Sequence, residues 1–147
     1  GECRLALLIE PGEDSRIMAQ ARNIRFPIEG RIAVIIYVRI GDAKPQLEVR
    51  ELRLETVNGR LTPVVRLHNN GTAHGRPEGF LEGSDTSGQR LDFSIATTPV
   101  LPGQTRVIPI WQTPPEGTGR VDLQPPLKVQ GRIEWEGGEH RVDTVLE

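Results

Sequence analysis

The chain has 147 residues, enough for one ordinary domain or for one small domain with part of another. A formal net charge of −2 and an aromatic content of 4% leave no basic footprint for nucleic acid or an anionic membrane and no stacking platform for single strands. The single cysteine, Cys3, excludes an intrachain disulfide and a thiol-rich metal site, and no run of about 18 apolar residues could cross a membrane as a helix.

In chain order, residues 1–10 (GECRLALLIE) read as a strand, with Leu5, Leu7 and Ile9 in one phase and Ala6 and Leu8 in the other. The chain opens on this strand at Gly1 with no signal peptide, which predicts that a segment precedes it. Residues 11–20 (PGEDSRIMAQ) are polar and turn-rich and read as a loop. Residues 22–41 (RNIRFPIEGRIAVIIYVRIG) then alternate strictly. Ile24, Phe26, Ile28, Ile32, Val34, Ile36, Val38 and Ile40 share one phase, with Gly30 the only gap. Read as one strand the stretch would be on the order of 55 Å long, far beyond an ordinary strand. Part of it is therefore expected to serve something other than its own sheet. Gly30 divides it into a lending half, residues 23–29, and a framework half, residues 31–40.

GDAKP (41–45) reads as the end of a strand followed by a linker, because Pro45 holds Lys44 extended. From residue 46 turn signals recur at short intervals. The apolar phase slips near Arg50–Glu51, predicting a β-bulge. Asn58-Gly59 marks a tight turn and Asn69-Asn70-Gly71 closes the next strand. HGRPEGFLE (74–82) is a weak strand interrupted by Pro77 and Gly79, and SDTSG (84–88) is a turn. Residues 90–95 alternate cleanly. RVIPIW (106–111) is placed at an edge or bulge by Pro109. Residues 113–126 form a long Pro/Gly loop, and residues 127–135 pair back on residues 139–146 through Gly137-Gly138. About seven strands in roughly 100 residues match an immunoglobulin-like β-sandwich in count and spacing. The predicted organisation is all-β. Residues 1–41 supply the last two strands, a β-hairpin, of an N-terminal immunoglobulin-like domain, 42–45 are the linker, and 46–147 form a C-terminal immunoglobulin-like sandwich.

Two of these segments carry a family resemblance. GECRLALLIE resembles the penultimate strand of the first domain of periplasmic pilus chaperones, where a Gly-Glu-aromatic-Arg motif is common and Cys3 here takes the aromatic position. RNIRFPIEGRIAVIIYVR is similar to that domain's last strand. The resemblance implies a two-domain, immunoglobulin-like protein of pilus or surface-fibre assembly, periplasmic or secreted, without cofactor, metal or catalytic activity. It implies that Ile24, Phe26 and Ile28 are donor residues entering the open groove of a pilin-like subunit, by main-chain pairing with alternate side chains in pockets. The family's cleft lysine aligns near Ala33, so Arg31 or Arg39 is the expected carboxylate-binding group. Strand exchange into a homodimer is a further expected use of the same edge. The alternative is a structural or adhesive immunoglobulin-like module of a larger secreted or surface protein.

Other groups carry weaker expectations. His68 and His74 flank a turn but lack further ligands at zinc spacing, and are expected in solvent. Asp85, Asp92, Glu134 and Glu136 fall on outward phases without a pocket signature for a carboxylate pair. Trp111 and Trp135 would make a sugar platform only if exposed on a common face.

Overall fold

The computed structural model describes residues 1–10, 17–21, 24–28 and 30–147, the strands within 17–28 by their backbone pairing. Every regular element is a strand. No helix among the described residues is long and apolar enough to cross a membrane. The chain separates into two compact units, Gly1–Gly41 and Asp42–Glu147.

In the first unit, β1 (Glu2–Ile9) pairs antiparallel with β4 (Ile32–Arg39), in register from Glu2 opposite Arg39 to Ile9 opposite Ile32. A second ladder joins β2 (Ile17–Ala21) to β3 (Ile24–Ile28), also antiparallel. The predicted single strand over 22–41 is therefore two strands, β3 and β4, with Gly30 between them. Part of the predicted loop 11–20 is strand β2, and the rest of that loop, with residues 22, 23 and 29, lies outside the described residues. Ile17, Met18 and Ala19 sit beside polar neighbours and show no alternation, so only their pairing with β3 reveals them as a strand.

The second unit has seven strands: β5 (Leu47–Val57), β6 (Arg60–Asn69), β7 (Phe80–Ser84), β8 (Arg90–Ile95), β9 (Thr105–Gln112), β10 (Leu127–Trp135) and β11 (Gly138–Leu146). Their spatial order is β11-β10-β7-β8-β9-β6-β5, the Greek-key crossing of an immunoglobulin-like sandwich. β11 and β5 approach each other, so the folded sheet nearly closes. The core between the layers is built from alternate residues, among them Val65, Leu67, Phe93, Ile108, Ile110, Leu127, Val129 and Ile133.

Local chemistry fixes these elements. Asn58 at φ 52° and Gly59 at φ 77° occupy the two left-handed positions of a two-residue hairpin between β5 and β6. The β5–β6 register shifts between Val49 and Glu51, where the apolar phase slips. The final hairpin turns at Glu136-Gly137, one residue earlier than the glycine pair suggested, because Trp135 pairs with Gly138. Pro109 is not on an edge strand, for β9 has neighbours on both sides. It sits where β9 changes partner: residues Thr105 to Pro109 pair with β6 and Ile110 to Gln112 with β8. The proline's missing N–H falls at that handover between layers.

Two buried polar side chains tie the loops down. Asn69 is fully buried and uses its whole amide. Its Nδ2 donates to the carbonyls of Ala73 and Val100, both at 2.8 Å. Its Oδ1 accepts from the backbone N–H of Gln46 at 3.1 Å and of Gly71 at 2.8 Å. Asp85, read from sequence as outward-facing, is instead buried. It accepts from the Ser87 hydroxyl, the Ser87 N–H and the Gln124 N–H, pinning the end of the 113–126 loop. The Ser87 hydroxyl chiefly, with these backbone donors, holds its carboxyl below the usual aspartate range against the opposing effect of desolvation. No buried side-chain N or O among the described residues lacks a partner.

Asn69→Ala would leave up to four peptide groups without their partner in the interior, so a loss of about 2–4 kcal/mol of stability is expected. Urea unfolding of the full chain checks this, and a loss below about 0.5 kcal/mol would contradict the assigned role.

Candidate partner-binding hairpin

Pairing in the first unit fixes which residues share a face. Cys3/Val38, Leu5/Ile36, Leu7/Val34 and Ile9/Ile32 are directly opposed and stand on one side of the β1–β4 ladder. That side is apolar throughout. The other carries Glu2/Arg39, Arg4/Tyr37, Ala6/Ile35 and Leu8/Ala33, polar at one end and apolar at the other. Neither side is covered: Leu5, Leu7, Leu8, Ile9, Ile32, Val34, Ile35 and Val38 are all between 39% and 62% exposed. Burying one such side chain is worth about 1.5–3 kcal/mol, and a two-stranded sheet is marginal without that burial.

The edges are as open as the faces. Each first-unit ladder has two strands, so every one of β1 to β4 keeps one edge without a paired strand among the described residues. Ile24, Phe26 and Ile28 occupy alternate register positions of β3 opposite Ala21, Ala19 and Ile17. The donor-like strand thus already has a neighbour along one edge and presents only the other. Between the inner ends of the two ladders, Ile9↔Ile32 and Ile17↔Ile28, lie residues 10–16 on one arm and 30, 31 and 29 on the other. The alternation continues through Gly30, but the ladder does not continue in one register.

Arg31 and Arg39 do not converge. The Arg31 guanidinium is 3.3 Å from Glu10 and that of Arg39 is 3.5 Å from Glu2. They flank opposite ends of β4, roughly 26 Å apart along an extended chain, so one carboxylate cannot reach both. Each has a carboxylate beside it, and a partner's carboxylate would have to compete. Arg4 lies over the Tyr37 ring, 6.0 Å from its centroid. The strand ends are pinned by the Gly1 amino group donating to the Ile40 carbonyl at 2.9 Å and the Ile40 N–H donating to Gly1 at 2.8 Å.

The remaining candidates stay apart. His68 Nδ1 meets the Thr105 hydroxyl at 2.8 Å, and no group of three metal-ligating side chains occurs among the described residues. Asp92, Glu134 and Glu136 are exposed. The Trp111 ring lies beneath the Arg120 guanidinium, 5.3 Å from its centroid, and Gln112 straps the adjoining loop through both hydrogen bonds to Val121. Trp135 packs against the core and against Gly138. The two tryptophans form no common exposed platform. Phe80, an aromatic ring that is open among the described residues, stands in the strand read as weak and was not singled out, because Pro77 and Gly79 interrupt the pattern there and carry no signal of which face is covered.

Comparison with protein-family models, curated proteins and solved structures finds no match.

The open faces predict that the chain alone binds a hydrophobic dye such as ANS. Replacing the opposed pair Leu7 and Val34 by Lys and Glu is expected to reduce that fluorescence by about a quarter, the share of the exposed apolar side chains removed. The main thermal transition, set by the sandwich, should not move.

Proposed function

We propose that the protein is a chaperone-like component of pilus or surface-fibre assembly, periplasmic or secreted, that holds a partner subunit by adding a strand of its first unit to the partner's sheet. The observation that carries this reading is the open, largely apolar hairpin, each of whose strands keeps one edge without a paired strand among the described residues. A strand so placed offers main-chain donors and acceptors in a row, and alternate apolar side chains to fill pockets. The resemblance of residues 1–10 and 22–39 to the last two strands of pilus-chaperone first domains supports the same assignment. In this reading Ile24, Phe26 and Ile28 are the lent side chains. Arg31 and Arg39 are accessory anchors, each available to a partner's carboxylate on exchange with its local glutamate.

A second reading, a structural or adhesive module of a larger surface protein, draws on the second unit. That unit is a complete sandwich with satisfied loops and no clustered metal ligands among its described residues. The hairpin would then complete a neighbouring domain of the same polypeptide.

The test is capture by the tagged full chain from a periplasmic extract, compared with a variant carrying Ile24→Glu, Phe26→Glu and Ile28→Glu. Retention of a β-rich subunit by the parent chain and at least a roughly tenfold loss in the variant, about 1.4 kcal/mol, is expected. Equal capture by both chains would refute strand lending. Sedimentation of the purified chain separates homodimerisation by strand exchange, which would appear as a concentration-dependent dimer lost in the same variant.

A further inference from the structure

Phe80 is 78% exposed, yet it stands in the interior of a sheet. Its strand β7 lies between β8 and β10, and β10 is followed by β11. Alternation with the buried Leu81, Phe93, Val129, Ile133 and Val142 turns the intervening residues outward. Register arranges them in rows across the four strands. Ser94 opposes Phe80, and Arg132 opposes Arg141. Phe80 and Arg132 face each other, because Leu81↔Gly131 and the bridge Glu78↔Glu134 on either side keep one register. The next row runs Asp92, Glu82, Gln130, Asp143. Neighbouring positions on such a grid are about 4.8 Å apart across strands and about 6.8 Å apart along them.

This outer face is an open depression of about 1060 Å³, lined by Phe80 and by groups from both rows. Two glycines form its floor. A Cβ on Gly79, at φ +146°, would lie 2.2 Å from the Arg132 carbonyl oxygen, and one on Gly131, at φ +148°, 2.6 Å from that of Phe80. Any side chain at either position would force β7 and β10 apart. Arg132 is engaged with Glu139 at 3.4 Å, and one oxygen of Glu82 accepts from Arg90 at 3.4 Å, leaving its other oxygen to a ligand. Gln130, Arg141 and Asp143 have no side-chain partner among the described residues.

We infer that this face is a carbohydrate-binding site, taking a neutral oligosaccharide with one sugar ring stacked on Phe80. A pyranose presents a face of weakly positive C–H groups, which suits the negative face of an aromatic ring. Its hydroxyls both donate and accept. They match the acceptor carboxylates of Glu82 and Asp143, the donor guanidinium of Arg141 and the two-way amide of Gln130, at spacings of one grid step. A protein partner suits the site less well. Interface centres are depleted in charge, and a protein seated on Phe80 would dehydrate the unpaired Arg141 and Asp143, at several kcal/mol per ion, along with the Arg132–Glu139 and Glu82–Arg90 pairs. The site lies wholly in the second unit and is independent of strand lending by the first.

The test is isothermal titration of the full chain with cellohexaose, xylohexaose, chitohexaose and maltohexaose, alongside Phe80→Ala, Phe80→Trp and Arg141→Ala. Phe80 and Arg141 are exposed, so the variants are expected to keep the parent melting temperature. Saturable binding of at least one of the four sugars is expected, weakened at least about tenfold by Phe80→Ala and by Arg141→Ala and retained by Phe80→Trp. The inference is overturned if none of the four binds or if Phe80→Ala binds as the parent does. It is likewise overturned if the parent chain instead self-associates through this face, as a dimer in sedimentation that Phe80→Ala abolishes.

Discussion

A β-strand has two edges and two faces, and each left unmatched is a source of free energy for something else. The β1–β4 hairpin matches one edge of each strand and neither face. Leu5, Leu7 and Ile9 from one arm and Ile32, Val34, Ile36 and Val38 from the other stand together as one apolar surface. The ion pairs Glu2–Arg39 and Glu10–Arg31 flank that ladder but cover none of it. The Glu10–Arg31 pair is exposed and contributes about 0–1 kcal/mol, less than the burial of one leucine, whereas in the Glu2–Arg39 pair the Glu2 side chain is buried. An apolar surface left open in this way favours further burial by ordinary hydrophobic energetics.

The second unit shows what completion looks like. Its layers share one core, and β9 passes between them with Pro109 at the change of partner. Asn69 gathers the start of β5 and the turns near residues 71, 73 and 100 onto a single amide. Asp85 does the same for the long loop before β10. With those groups satisfied, the chemistry left over lies on the outer β8-β7-β10-β11 face. There an aromatic ring is exposed amid polar groups, and close-packed glycines hold the backbone. The two units thus leave different kinds of surface open: apolar edges and faces in one, a polar grid around a ring in the other.

Much of the fold was legible in the residues. The Asn58-Gly59 turn and the phase slip at Arg50 each have one dominant physical cause and appear where that cause places them, while the alternation of residues 24–40 falls on two strands in place of the one expected. What escaped was decided by partners distant in sequence. β2 carries Met18 and Ala19, weak strand formers, and exists through its pairing with β3. Pro109 reads as an edge residue until the change of neighbour is known. Asp85 looks like any turn aspartate until the 113–126 loop folds over it. Phe80 lies in a stretch interrupted by Pro77 and Gly79, and whether its face is covered is not encoded in alternation. Arg31 and Arg39 were alternatives for a carboxylate-binding group by residue type, and each has a glutamate beside it that residue type does not reveal.

Hydrogen exchange on the full chain tests most directly the claim that the first unit is completed only by pairing. For the purified monomer, the amides of β1 and β4 should exchange near the rate of local opening, while β6, β9 and β10 show protection approaching the global stability. Once a partner is captured, protection should rise in β3, β4 or both, with that of the sandwich core unchanged. Monomer protection as high in β1 and β4 as in β6 and β10 would contradict the account, because the hairpin would then be stable without anything to cover it.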